Sequence, residues 1–221
     1  MVKTGRAIPT TRIVLARHGH VQGINPERFR GRANLALTEC GLHQAQATAT
    51  RIAQHWRPVI VYTSPMQRCV VTGRLIADAS AIPSRVLDDL NDIDYGTWQG
   101  KAHEEARRTF PLEYRRWLTL PHLVRFPSGE SLPQLAARAA DALRHVVDNH
   151  PDATIVIVGH DSSNRVLLLQ ALGLPLSAYW RIAQDPCGLS EIIVNDDGIS
   201  VLRMNETAHL ATIENSPRNG S

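Results

Sequence analysis

The apolar positions of this chain fall into two patterns. Short unbroken runs at 13–16 (Ile-Val-Leu-Ala), 59–63 (Val-Ile-Val-Tyr-Thr) and 154–158 (Thr-Ile-Val-Ile-Val) have the length and β-branched content of strands covered on both faces. The stretch 86–90 reads as a further short strand. Elsewhere apolar residues recur every three or four positions, as on one face of a helix. Residues 42–56 do so behind Thr38, a capping residue type. Residues 65–77 do so with Ser64 as the expected cap and Pro65 at the first helical position. The stretch 101–118 reads as helical, and Ser131 is expected to cap a helix through 147 whose Leu135, Ala139, Ala142, Leu143 and Val146 share a face. A last helix is expected over 165–172, and strands at 188–194 and 199–204 meet in a hairpin ending at Asp197-Gly198. Strands alternating with helices predict a three-layer αβα sandwich with a mainly parallel central sheet. One domain over 1–221 accommodates this, with 1–11 and 212–221 as loose termini.

Composition adds exclusions. With 43% hydrophobic and 20% charged residues, the chain has material for a real core and no signature of general disorder. The net charge of +3 is not gathered into runs of Lys and Arg or interleaved with aromatics, so nucleic acid is not an expected partner. Cys40, Cys69 and Cys187 are widely spaced with no CxxC, which fits reduced thiols in the cytoplasm. The apolar stretch behind Lys3 and Arg6 is too short for a secretion signal or a bilayer span, so no membrane partner is expected. The terminal hairpin leaves a homo-oligomer open.

The chemistry sits where strands end. The first run stops abruptly at Arg17-His18-Gly19, the second leads into a helix carrying Arg68, and the third stops at Gly159-His160. In an open α/β sheet these carboxyl ends share one edge, where ligands bind. The long loop 19–34 adds Arg28, Arg30 and Arg32 as a rim, and an acidic loop adds Asp92. Two histidines, two arginines and a carboxylate suit phosphoryl transfer. Arginines clasp phosphate oxygens, a neutral imidazole attacks phosphorus, a second donates to the shifting charge, and a carboxylic acid protonates the leaving alkoxide. His18 and His20 have no third and fourth ligand at supporting spacing, so neither a metal nor another cofactor is expected.

These residues resemble the histidine phosphatase superfamily, the phosphoglycerate mutase-like proteins. Arg17-His18-Gly19 resembles its signature, and the segment 31–41, ending Leu37-Thr38-Glu39-Cys40-Gly41, is similar to its Leu-Thr-x-x-Gly loop. Ser64-Pro65-Met66-Gln67-Arg68, the segment 90–100, Gly129-Glu130-Ser131, Gly159-His160 and the segment 205–210 follow in the family's order. The resemblance implies His18 as the phosphorylated nucleophile, Arg17, Arg68 and His160 as phosphate ligands, and Asp92 as the acid, with Asp94 as its rival. It departs from the family where Asp92 replaces the usual Glu, and where Val21 and Ile24 replace usual polar residues; Asn25 is expected to supply that phosphate contact. Asp161 replaces a small residue and is expected to cap the following helix and face away. Tyr95 and Trp98 are expected to pack, and Arg115-Arg116 to be a solvated helix face. The implied function is hydrolysis of a small phosphorylated metabolite through a phosphohistidine. The alternatives are a phosphoglycerate mutase-type transferase, or a phospho-ligand-binding relative without catalysis. The mutase reading draws on Leu90-Asn91 and Arg115-Arg116. The chain's shortness and the lack of an evident substrate insert favour hydrolysis.

Overall fold

The computed structural model describes residues 10–213. Strands β1 (Thr11–Arg17), β2 (Ile60–Thr63), β3 (Ser84–Val86), β4 (Thr154–Gly159), β5 (Leu189–Asn195) and β6 (Gly198–Glu206) form one sheet. Their spatial order is β3-β2-β4-β1-β5-β6. The first four in that order are parallel, while β5 and β6 each run antiparallel to the strand before them. Among the described residues six α-helices accompany the sheet: α1 (Glu39–His55), α2 (Gln67–Ser80), α3 (His103–Thr109), α4 (Pro111–Thr119), α5 (Leu132–Asn149) and α6 (Asp161–Ala171).

Side chains alternate across a strand, so each central strand feeds two cores. Val14, Ala16, Val61, Val156 and Val158 pack with Ala49 and Ile52 of α1 and Cys69 and Ile76 of α2. Ile13, Leu15, Tyr62, Ile155 and Ile157 pack with Leu135 and Ala139 of α5 and Leu167 and Leu168 of α6. The expected three-layer sandwich is therefore present, around a mixed sheet. No helix among the described residues is long and apolar enough to cross a membrane. The three cysteines are thiols, with no disulfide among the described residues.

Two helix starts match the sequence. Thr38 Oγ1 accepts from the Gly41 amide at 3.1 Å, and Ser131 with Gln134 forms a reciprocal capping box. Several boundaries differ. The stretch 86–90 is not a strand: β3 stops at Val86, and Asp88–Leu90 forms a 3₁₀ turn, because aspartates suit a turn better than a strand. The stretch 101–118 splits at Phe110, where Pro111 opens α4 and has no N–H with which to continue α3. Ser64 does not cap α2. Met66 stands at the cap position, and the Ser64 hydroxyl accepts from the Met66 amide at 3.3 Å. Helix α6 begins at Asp161, ahead of the expected 165, because Ser163 Oγ accepts from the His160 amide at 3.0 Å and closes the first turn. Thr11, assigned to a loose leader, is a buried residue of β1. The rest of that leader up to 9, and the tail from 214, lie outside the described residues.

One close approach anchors the loop after β1. A Cβ on Gly19 would collide with the Gly41 carbonyl, and a Cβ on Gly41 would meet the His20 backbone nitrogen at 2.8 Å. The loop thus lies directly on the first turn of α1. Alanine is normally favoured over glycine inside a helix by about 1 kcal/mol, while forcing a methyl group against fixed backbone costs roughly 1–3 kcal/mol. Gly41→Ala is therefore expected to lower stability by up to about 2 kcal/mol, read as a lower urea midpoint at unchanged slope. A midpoint at or above that of the unsubstituted protein would show that loop and helix part freely.

Candidate active site

Strand register brings the chemistry together. Arg17 of β1 pairs with Gly159 of β4, and Thr63 of β2 with Val158. The next residues, His18 and His160, therefore leave the sheet at the same level, with Ser64 one residue short of it, level with Gly159. Arg68 lies in the first turn of α2 beside them. Arg17, His18, Arg68, Asp92 and His160 are all buried. The imidazole centres of His18 and His160 lie 5.3 Å apart.

Arg68 ties the group together. Its Nε donates to His18 Nε2 at 3.2 Å and to His160 Nδ1 at 3.3 Å. Its Nη1 donates to the Ala33 carbonyl at 2.7 Å, and its Nη2 to the Gly31 carbonyl at 2.7 Å and to Asp92 Oδ2 at 3.0 Å. His18 Nδ1 lies 2.7 Å from the Gly19 carbonyl oxygen. A carbonyl only accepts, so the ring proton sits on Nδ1 and the lone pair on Nε2. His160 Nε2 contacts Ser64 Oγ at 2.7 Å. Asp92 Oδ1 accepts from the Ile93 amide at 2.9 Å and from the Ser162 hydroxyl. Its Oδ2 faces Arg68 and lies 3.5 Å from His160 Nδ1.

Burial, reinforced by the Arg68 guanidinium, holds both His18 and His160 well below the usual imidazole pKa, so both rings are neutral near pH 7. Burial also raises the Asp92 carboxyl, against the opposing pull of Arg68. Burial lowers Arg17 to about 10, which still leaves it charged. Arg17 Nη1 donates to the Gln184 carbonyl, while its buried Nε has no hydrogen-bond partner among the described residues. A buried cation with an unmatched donor at a pocket floor calls for an oxyanion.

The pocket encloses about 490 Å³ including its mouth, and Arg17 and Asp92 line it together with Arg28, Arg30 and Arg165. Two of the three rim arginines expected from the loop thus reach it. Arg32 instead pairs with Glu130 at 3.0 Å and Asp94 at 3.6 Å. Asp94 accepts from the Gly96 amide at 2.8 Å and shapes that turn, so Asp92 is the carboxylate facing the histidines. Asn25 is not brought to this pocket: it is exposed and lines a separate surface cleft, while its neighbour Ile24 points inward. Asp161 does not face away. As the first residue of α6 it lines the pocket, and the cap position belongs to His160. Burial alone would raise its carboxyl, but Arg17, Arg165 and Arg30 outweigh that and hold it far below the usual range. Trp98 packs as expected, whereas Tyr95 both packs on Phe29 and lines the pocket. Arg115 and Arg116 are solvated. His20 bonds Thr38 at 2.9 Å, and no cluster of three or more potential metal ligands occurs among the described residues.

Two supports were not foreseen in the sequence. Ser162 fixes one Asp92 oxygen, as described. Arg138, on α5, donates to the carbonyls of Asp89, Asn91 and Asp92 at 2.8, 2.6 and 2.9 Å, and is itself clasped by both Glu130 oxygens at 2.9 Å. The Gly-Glu-Ser motif was a signal for Glu130, but a helix arginine bound to backbone carbonyls leaves no pattern.

Residues 13–207 match the model of the histidine phosphatase superfamily (branch 1). The chain belongs to that family, and with it to phosphatases of the phosphohistidine type. It is 32% identical over 199 residues to phosphoserine phosphatase 1 of Hydrogenobacter thermophilus, covering 90% of this chain and 94% of that one. It is 32% identical over 208 residues to a bifunctional protein of Mycobacterium tuberculosis, spanning 94% of this chain but only 57% of that longer protein. Among solved structures, YhfR of Bacillus stearothermophilus superposes with a TM-score of 0.85 at 26% identity, over 90% of this chain and 99% of that one.

The neutral histidines predict a pH dependence of stability. The unfolded chain takes up protons as pH falls through about 6.5, while the folded chain resists because His18 and His160 are held below that value. The unfolded state then binds more protons, so stability is full above about pH 6.5 and falls below it. Urea midpoints are expected to drop between pH 7.5 and 5.5, with a shallower drop in His18→Ala. A flat profile in the unsubstituted protein would mean that the rings accept protons in place.

Proposed function

We propose that this chain, as one histidine phosphatase domain, is a phosphomonoester hydrolase acting on a small phosphorylated metabolite through His18. The observation that carries the reading is the fixed His18 tautomer, whose Nε2 lone pair lies beside Arg68 in a buried, neutral ring. In the proposed cycle Arg17 and Arg68 hold the phosphoryl oxygens. His18 Nε2 forms the bond to phosphorus as the ester P–O bond breaks, and Asp92 Oδ2 gives its proton to the departing oxygen. His160 Nδ1 accepts from Arg68 Nε, so its neutral ring carries the proton on Nε2 toward Ser64 Oγ, and the ring serves the phosphoryl site by holding Arg68. In the second half, the Asp92 carboxylate takes a proton from water as that water displaces His18 from phosphorus. The arginines supply the positive charge that the step needs. Similarity to a relative named as a phosphatase supports hydrolysis over return of the phosphoryl group to substrate. The reduced thiols support a cytoplasmic setting.

Exposure to a radiolabelled phosphomonoester followed by an alkaline quench is expected to leave an alkali-stable, acid-labile adduct, absent from His18→Ala. An equal adduct in that variant would remove His18 from the nucleophile position. p-Nitrophenyl phosphate is expected to be hydrolysed, and 3-phosphoglycerate not to be isomerised; efficient isomerisation with negligible hydrolysis would favour the mutase reading. Asp92→Asn is expected to slow alkyl phosphates by roughly 10²–10⁴-fold and p-nitrophenyl phosphate much less, since that leaving group needs no proton. An unchanged rate on an alkyl phosphate would move the acid elsewhere.

A further inference from the structure

A second cavity opens at the other end of the sheet. Arg12 and Thr154, paired near the starts of β1 and β4, line it with Trp56 at the end of α1, Arg57, Glu191 of β5 and Arg203 of β6. It encloses about 570 Å³ including its mouth, and among the described residues it shares no lining residue with the active-site pocket. The extended strand from Arg12 to Arg17 separates the two by roughly 17 Å. The arginines here are held in place. The guanidinium groups of Arg51 and Arg203 lie 5.5 and 5.6 Å from the centre of the buried Trp56 ring. Arg12 Nη1 donates to Glu191 Oε1, and Glu206 pairs with Arg51 at 3.1 Å and with Arg203 at 3.6 Å.

These ion pairs do not use up the cluster. Among the described residues, Arg12, Arg51 and Arg203 share the carboxylates of Glu191 and Glu206, and the exposed Arg57 has no ion-pair partner. The positive excess calls for an oxyanion. Glu191 adds a second requirement. Its side chain is 2% exposed, and its Oε2, although 3.2 Å from Arg203 Nε, accepts no hydrogen bond among the described residues. An ionised carboxylate only accepts, so an anion that satisfies Glu191 must itself carry a proton. Sulfate is fully ionised near neutral pH, whereas inorganic phosphate keeps at least one proton there. We infer that this cavity is a binding site for inorganic phosphate, separate from the active site. Arg12, Arg57 and Arg203 take its charged oxygens, and Glu191 Oε2 accepts a hydrogen bond from its P–OH group. The half-exposed Arg203 turns from Glu191 toward the anion to admit it. An oxyanion of the same shape without a proton meets the Glu191 charge directly and is rejected. The inference stands whether or not His18 is a nucleophile.

Equilibrium dialysis of the full-length protein against radiolabelled inorganic phosphate near neutral pH tests this. Arg57 is exposed and unpaired, so Arg57→Ala leaves the fold and the active site in place. It is expected to weaken one class of bound phosphate about 10-fold, the margin of one charge-assisted contact, while hydrolysis of p-nitrophenyl phosphate is unchanged. Arg203→Ala is expected to weaken the same class. Binding isotherms that both variants leave unaltered would overturn the inference. Unlabelled sulfate is expected to displace the Arg57-dependent phosphate about 10-fold less effectively than unlabelled phosphate does. In Glu191→Gln the two are expected to agree within about 2-fold. Equal displacement by sulfate and phosphate in the unsubstituted protein would overturn the inference even where Glu191→Gln fails to fold, as would a margin that survives that substitution. Hydrolysis of p-nitrophenyl phosphate reports separately on the phosphatase reading. Its absence, with the Arg57-dependent binding intact, would sink that reading and sustain this one.

Discussion

Arg68 is a fully buried cation, and the site consists of the groups that make its burial tolerable. A buried charge without partners costs several kcal/mol, and this one has a partner for each of its nitrogens. Those partners come from separate segments: the end of β1, the loop after it, the acidic loop before α3, and the end of β4. The loop between β1 and α1 has little regular structure of its own, yet Arg68 holds two of its carbonyls at 2.7 Å. The interaction that closes the loop over the sheet edge is also the one that aligns the two imidazoles. Fold and site share one constraint there.

Arg138 repeats the device one layer out. It reaches from α5 to the carbonyls of Asp89, Asn91 and Asp92, and Glu130 holds it in place. Ser162 and the Ile93 amide occupy Asp92 Oδ1. With the backbone held from one side and one oxygen from the other, Oδ2 has a single direction left, toward Arg68 and His160. A carboxylate on a loop acquires the fixity of one on a helix.

The strand ends were legible in the sequence because a β-branched run that stops at Arg-His or Gly-His is a sharp local signal, and parallel pairing then brings such ends together. The start of α6 was not. Asp161, Ser162, Ser163 and Asn164 have side chains that compete for backbone hydrogen bonds, so the run reads as a turn. With the helix begun at 165, Asp161 was assigned away from the pocket and its relation to Arg165 disappeared. Asn25 failed for a different reason. It stands just beyond Ile24, where the family resemblance implies a polar contact, but the loop turns Ile24 and Phe29 inward and leaves Asn25 exposed. Arg138 was invisible because its acceptors are carbonyls, which every residue carries.

The two carboxylates of the pocket illustrate how environment divides acid from base. Asp161 is surrounded by three arginines and stays ionised. Asp92 has burial against it and Arg68 in its favour, and Arg68 is the same cation proposed to bind the phosphoryl group. The two demands on Arg68 are opposed. When a phosphate dianion claims part of that guanidinium, Asp92 loses support for its charge and gains a like charge nearby, and both effects raise its affinity for a proton. In the proposed cycle the substrate therefore loads its own general acid. The proton on Asp92 Oδ2 is present when the ester oxygen departs, and the phosphoryl group left on His18 faces a carboxylate ready to take a proton from water.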